Sequence, residues 1–209
     1  MENNQKGFVI PMVIVALLVI GGGIYLYINK NNTTSDSDFN WITEDTYYND
    51  GKRQRALILE PKEIAIIFKR YYEEGYVKNV IHDISSNIEI IDANQETVWI
   101  KLPDNVSPKE TANELANNLD AFISPVFYLK KALTARLIIG FREETNNSIL
   151  SKFESDYNLK RIKGFNSSPK SYLFEASSAV DSLIISNQIM ESGTVEHAYP
   201  NFLSNISLE

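Results

Sequence analysis

The stretch Arg136-Leu-Ile-Ile-Gly-Phe-Arg142 repeats an earlier stretch of the same chain, Glu63-Ile-Ala-Ile-Ile-Phe-Lys69, and Phe141 follows Phe68 by 73 residues. Two further pairs of similar segments keep nearly this spacing: Thr97–Leu102 and Ser171–Ala176 are offset by 74 residues, and Ile123–Phe127 and Ala198–Phe202 by 75. A constant order and spacing indicates an internal repeat. The sequence therefore predicts two copies of a module of roughly 70 residues.

Each copy alternates between short apolar runs, typical of strands, and helical spacing of apolar residues. The expected strands are 64–68, 88–91, 97–102 and 121–124 in the first copy, and 137–141, 159–162, 172–176 and 195–198 in the second. The expected helices include 77–84, a helix opening at Ser107-Pro108, 147–157, and a helix capped by Ser178 and stopped by Gly193. This order, β-α-β-β-α-β, predicts an α+β fold made of two tandem ferredoxin-like modules.

The N-terminal part predicts a membrane anchor. Residues 8–28 carry no charge, and about 20 apolar residues suffice for a transmembrane helix. Lys6 and the α-amino group favour a cytoplasmic N-terminus, with the following domain outside the cell and attached to the membrane by a single pass. The alternative is a cleaved secretory signal, which would have small residues in an A-x-A arrangement; here three glycines are followed by Ile24-Tyr25-Leu26-Tyr27.

The leader Gln5-Lys6-Gly7-Phe8 resembles that of type IV prepilins, a family in which a peptidase cuts after the glycine, here between Gly7 and Phe8. Pilins carry Glu at the fifth mature position, where this chain has Met12. Two alternatives follow: a prepilin-like anchor without a role in filaments, and a minor pilin-like or cell-surface structural subunit.

Residues 29–54 are predicted to form a polar stalk, although Trp41, Ile42, Tyr47 and Tyr48 could dock onto the following domain.

The predicted organisation has five segments. They are the cytoplasmic leader 1–7, the transmembrane helix 8–28, the stalk 29–54, module 1 at 55–131, and module 2 with a C-terminal tail at 132–209.

Composition narrows the function classes. The 209 residues carry a formal charge of −7, which argues against a nucleic-acid partner, since such binding requires basic residues to neutralise phosphates. The chain has no Cys, and its only histidines are His82 and His197. Disulfides and thiolate sites are therefore excluded, and little remains for a histidine-based metal site or general base. We predict no enzymatic activity, no cofactor or metal, and no small-molecule ligand.

The run Gly193-Thr-Val-Glu-His-Ala-Tyr-Pro-Asn-Phe202 resembles the end of the propeptides of subtilisin-type serine proteases, which close with a G-x-V-E-Y-A-x-P-N-F/Y pattern. The strand 137–142 is similar to the opening strand of that family, and 60–68 with 123–127 are similar to the upstream half of longer, fervidolysin-type prodomains. The likeness covers about residues 56–204. His197 and Tyr199 depart from the residues usual there.

The resemblance implies a binding module for a subtilisin-type protease, which it would inhibit or help to fold. In that family the sheet packs on surface helices of the enzyme, and the segment after the last strand enters the substrate cleft. Here that tail would be 201–209, with Asn201, Phe202, Leu203, Ile206 and Leu208 as contact residues. No protease triad is expected, because neither histidine lies in an H-G-T-like context and no G-T-S occurs. We expect His82 on a helix surface and His197 in a strand.

Overall fold

The computed structural model describes residues 19–20, 23–24, 46–50, 53–142, 145–167 and 169–204. The chain divides into two units, Met1–Thr34 and Ser35–Glu209. In the first unit, two short strands, β1 (Val19–Ile20) and β2 (Gly23–Ile24), pair in antiparallel fashion. All remaining described elements belong to the second unit.

Strands β1 and β2 lie inside the segment 8–28, for which we predicted a helix. The rest of this segment, and Gly7 and Phe8 of the predicted leader cleavage, lie outside the described residues. Within the described ranges, no helix is both long and apolar enough to cross a bilayer.

The second unit contains the two predicted modules. Module 1 consists of β5 (Leu59–Phe68), α1 (Glu74–Ile84), β6 (Glu89–Ala93), β7 (Thr97–Lys101), α2 (Pro108–Asn118) and β8 (Ala121–Phe127). Module 2 consists of β9 (Lys131–Gly140), α3 (Asn147–Asp156), β10 (Lys160–Phe165), β11 (Ser171–Glu175), α4 (Ala179–Glu191) and β12 (His197–Ser204). In both modules the strands are antiparallel and lie in the order fourth, first, third, second. The α+β, ferredoxin-like prediction is thus confirmed.

The register of the strands shows that the two modules are copies of one unit. Ile64 on β5 lies opposite Ile100 and Pro125, and its equivalent Leu137 on β9 lies opposite Phe174 and Pro200. The second strands even share an irregularity, between Ile90 and Asp92 in β6 and between Arg161 and Lys163 in β10. The offsets of 73, 74 and 75 residues read from the sequence therefore mark equivalent positions in the fold.

Three of the four helices in these modules begin at the caps that their sequences supply. Ser107 Oγ accepts a hydrogen bond from Glu110 N at 3.4 Å, and Ser178 Oγ accepts one from Asp181 N at 3.0 Å. Asn146 caps α3 in the same way. Each cap satisfies one backbone N–H that the first helical turn leaves without a partner. Helix α4 ends just before Gly193, whose φ of 69° is accessible to glycine at little cost.

Each module has its own core between its helices and one face of its sheet. The core of module 1 includes Ile64, Ile66, Val77, Ile81, Val98, Ile100 and Leu115. The core of module 2 includes Leu137, Ile139, Leu150, Tyr172, Phe174, Ile189 and Ala198. Burial of apolar surface, worth about 25 cal/mol per Å², is the main favourable contribution to the folding free energy of both modules.

A hairpin joins the two modules into one eight-stranded sheet. Val126 and Phe127 at the end of β8 pair with Ala132 and Lys131 at the start of β9. Near this junction Trp99, only 1% exposed, packs with Ala65, Val126, Ala132 and Leu203. The two halves are therefore bonded and packed together.

Part of the predicted stalk belongs to the folded domain. Strands β3 (Tyr47–Asn49) and β4 (Gln54–Ala56) form a hairpin that contacts α4. The Tyr47 hydroxyl donates to Glu191 Oε1 at 2.6 Å, and the Tyr48 ring packs edge-on against Phe202, with centroids 5.2 Å apart. The predicted docking of Tyr47 and Tyr48 is confirmed. Trp41 and Ile42 lie outside the described residues.

Candidate functional site: the open sheet face of module 2

Successive side chains of a strand point to opposite faces of its sheet. In β9, Leu137 and Ile139 face the helices, so Arg136, Ile138 and Gly140 lie on the other face. The strand register places their neighbours on that same face. We call this surface the open face; it comprises Arg136, Ile138, Gly140, Lys163, Phe165, Ser171, Leu173, Glu175, His197 and Tyr199.

An apolar row crosses the middle of the open face. Leu173, Ile138 and Tyr199 lie directly opposite one another on β11, β9 and β12. The charged Lys163 on β10 lies opposite Leu173, at the end of this row. Leu173 is only 8% exposed, whereas Ile138 and Tyr199 are half-buried. Both helices of the module pack on the opposite side of the sheet. Ile138 and Tyr199 therefore present apolar surface outward from the four-stranded sheet, and the buried Leu173 packs beside them.

A second row depends on Gly140. Ser171, Gly140 and His197 lie opposite one another, and Phe165 continues the row on β10. A Cβ atom at Gly140 would overlap the imidazole of His197, so the ring occupies the space that the glycine leaves. His197 also stacks on Tyr199, with ring centroids 5.5 Å apart. Glycine at this position therefore makes room for the His197 ring, on which Tyr199 stacks.

Ser171 and His197 form a hydrogen bond, but its direction is not that of a nucleophile and its base. His197 Nε2 lies 3.3 Å from Ser171 Oγ, and Ser171 Oγ donates its proton to the carbonyl of Pro169 at 3.0 Å. The imidazole Nε2–H is then the donor to Ser171 Oγ. A nucleophilic serine would instead give its proton to the imidazole. The contact orients the ring.

Charged groups border the open face. Arg136 pairs with Glu175 at 3.5 Å, Arg142 pairs with Glu196 at 3.7 Å, and Lys163 lies over the Phe165 ring. Burial lowers the pKa of His197 below its ordinary value, and the neighbouring carboxylate of Glu196 opposes this shift. An apolar centre with a polar, charged rim is the usual composition of a protein–protein interface.

The sequence-predicted contact residues separate into two groups. Asn201, Phe202 and Leu203 belong to β12, where Phe202 and Leu203 pair with Leu133 and Ala132 of β9 and pack into apolar clusters. Ile206 and Leu208 lie outside the described residues. Three of the five predicted contact residues therefore belong to the sheet of module 2.

The two histidines lie where the sequence indicated. His82 is exposed on α1, and His197 lies in strand β12. The role of His197 on the open face was not predicted, because it depends on cross-strand pairing with Gly140. The sequence contains no signal for it, because Leu137, Ile138 and Ile139 form a continuous apolar run in which no residue type marks the face away from the helices.

Comparisons with known proteins do not assign the chain to a family. No protein-family profile and no curated protein matches the chain. Solved structures that resemble it include the acetolactate synthase small subunit from Thermotoga maritima, 11% identical over 70% of this chain and 98% of that one, with a TM-score of 0.24. A second is Escherichia coli aspartokinase III in complex with lysine and aspartate, 14% identical over 67% and 33% of the two chains, with a TM-score of 0.24. A third is the aspartate kinase regulatory subunit from Thermus thermophilus in its ligand-free form, 14% identical over 64% and 97%, with a TM-score of 0.22. Likenesses this weak assign neither a family nor a function.

Proposed function

We propose that this chain is a non-enzymatic, membrane-anchored extracytoplasmic protein that binds a subtilisin-type serine protease in the manner of a prodomain. One observation carries the proposal: the closing run 193–202 resembles the end of such prodomains, and its residues 197–202 lie in strand β12, where His197 and Tyr199 belong to the open face. In the resembling family the sheet packs on surface helices of the enzyme. The apolar row of Leu173, Ile138 and Tyr199 is suited to that contact.

The size of the open face argues for a second contact. Four strands spaced about 4.8 Å apart, with about five residues each, cover roughly 300 Å² in projection. A stable protein–protein interface buries about 800 Å² on each partner. The open face alone is therefore too small for tight binding, and a further segment has to contribute.

We propose that the C-terminal tail, residues 205–209, is this further segment. It follows β12, whose last paired residue, Ser204, lies opposite Lys131 at the end of β9 that adjoins module 1. An extended peptide that adds to an enzyme's cleft gains affinity from backbone hydrogen bonds and specificity from alternate side chains. Ile206 and Leu208 are two residues apart and would point to the same side of such a strand.

The test uses residues 35–209, which form a compact unit of their own. Progress curves of peptide hydrolysis are recorded for a panel of subtilisin-type proteases with this polypeptide present. We expect inhibition of at least one protease. Deletion of 205–209 should weaken the inhibition at least tenfold. Because this deletion removes no residue of β12, it should leave the circular dichroism spectrum unchanged.

A matched pair of substitutions tests the face itself. Ile138→Arg places a charge in the central row and should raise the inhibition constant at least tenfold, because the arginine would be desolvated against the enzyme. Ile149→Arg is the control, since Ile149 is exposed on α3, on the helix side of the module. Absence of inhibition across the panel, or equal effects of both substitutions, would refute the proposal.

A further inference from the structure

Module 1 contains a cavity of about 240 Å³. It lies between the first half of α1 and the end of the sheet where β6 turns into β7. Its floor is apolar and includes the buried Val77 and Val98. For comparison, an engineered apolar protein cavity of about 150 Å³ binds benzene. The space in module 1 is therefore large enough for one aromatic ring with a substituent.

The duplication provides an internal comparison for this corner of the fold. Val98 on β7 and Tyr172 on β11 are equivalent, since they pair with the equivalent residues Ile66 and Ile139. Ala93 and Gly164 are equivalent as well, because Ala93 pairs with Val98 and Gly164 pairs with Tyr172. Module 1 thus has valine and alanine where module 2 has tyrosine and glycine.

In module 2 the Tyr172 ring fills the corner. It lies 3.2 Å from the position that a Cβ of Gly164 would take, and 5.9 Å from the ring of Phe141, the equivalent of Phe68. Phe153 closes the same cluster against Phe141, and its helical equivalent in module 1 is the smaller Val80. Module 2 therefore shows which group this corner accommodates: a phenol ring packed edge-on against a phenylalanine.

We propose that the cavity of module 1 is a binding site for a small phenolic molecule, whose ring takes the place that Tyr172 takes in module 2. The ring would contact Phe68, Val77 and Val98, with Ile90 at its side. The mouth carries polar groups suited to a hydroxyl, namely the Glu74–Lys78 ion pair at 2.6 Å and the amides of Asn94 and Gln95. This site is separate from the open face and does not depend on the proposed protease partner.

The probe is p-cresol, which is the tyrosine side chain without its backbone. It is titrated into ¹⁵N-labelled 35–209 while amide chemical shifts are followed. We expect saturable shifts that centre on Val77, Ile90 and Val98, with a dissociation constant in the millimolar range or below. The saturated analogue 4-methylcyclohexanol should bind at least fivefold more weakly, because it lacks the flat ring.

The double variant Val98→Tyr with Ala93→Gly copies module 2 into module 1 and should weaken p-cresol binding at least tenfold. Ile149→Tyr, which adds the same side chain at an exposed position, is the control and should bind as the parent does. Ala93→Leu is a second blocking variant at an exposed position, for use if the double variant fails to fold. No saturable binding, undiminished binding to a folded blocking variant, or equal binding of 4-methylcyclohexanol would overturn the proposal.

Discussion

At the scale of single residues, the contact between His197 and Gly140 determines the surface of module 2. The ring lies where any other residue at position 140 would place its Cβ, and it is held by Ser171 and Tyr199. Because the ring is partly buried, its charged form is disfavoured and its pKa is lowered. Protonation of this one side chain therefore opposes folding.

The lowered pKa gives a stability prediction with a definite sign. The unfolded chain takes up the proton near the ordinary value of 6.5, before the folded chain does, so the stabilisation is complete above that pH and is lost as pH falls towards the lower folded pKa. Urea unfolding of 35–209 at pH 7.5 and at pH 5.5 should therefore show a smaller loss of stability for His197→Gln than for the parent. Equal losses would show that His197 does not contribute to the pH dependence.

The residues that could be predicted from the sequence are those whose role is local. Ser107 and Ser178 cap helices as expected, and Gly193 ends α4. The open-face role of Gly140 could not be predicted, because a glycine in a strand gives no indication of which ring from another strand will cover it. Val98 likewise looks like any core valine until its equivalence to Tyr172 is known.

At the scale of elements, the β8–β9 turn is the least expected feature. Leu129 and Lys130 have φ values of 62° and 51°, in the left-handed region that glycine and asparagine favour. Lys130 forms an ion pair with Glu63, and Tyr128 N donates to Ile58 O at 2.8 Å. The sequence has no Gly, Asn or Pro here to predict a turn, and we placed the module boundary at 131/132, just after the turn and inside β9.

This conformation predicts a stabilising substitution. Leu129 is 58% exposed, so little packing is lost when it is replaced, whereas its left-handed backbone costs about 1–2 kcal/mol. Leu129→Asn should raise the free energy of unfolding by roughly 0.5–1 kcal/mol, as measured by urea denaturation. Tyr128→Asn, at the neighbouring exposed position, is the control and should give no gain. A loss of stability in Leu129→Asn would contradict the account of the turn.

Strand boundaries also differ from the sequence-based expectation, for a physical reason. Strand β5 begins at Leu59 and not at Ile64, because it bends through an irregularity between Glu60 and Ile64 to pair again with β8. Pro61, Lys62 and Glu63 break the apolar pattern there. Pairing with another strand supplies this extension, and such long-range pairing is not evident from local sequence.

At the scale of the whole molecule, the duplication is what the sequence predicts best. Three pairs of segments sufficed to identify two modules, and the register confirms each pair. Divergence between the copies then gives each module its own surface: a filled corner and an open face in module 2, and a cavity in module 1. The anchor, the leader and the end of the tail stay predictions, because they fall largely outside the described residues.

The most direct test of the central claim is calorimetric titration of 35–209 into a subtilisin-type protease whose active-site serine has been blocked to prevent digestion. Binding through the open face predicts a one-to-one complex with a micromolar or lower dissociation constant, at least tenfold weaker for Ile138→Arg and unchanged for Ile149→Arg. Absence of heat with every protease tested, or a complex equally strong with Ile138→Arg, would contradict it.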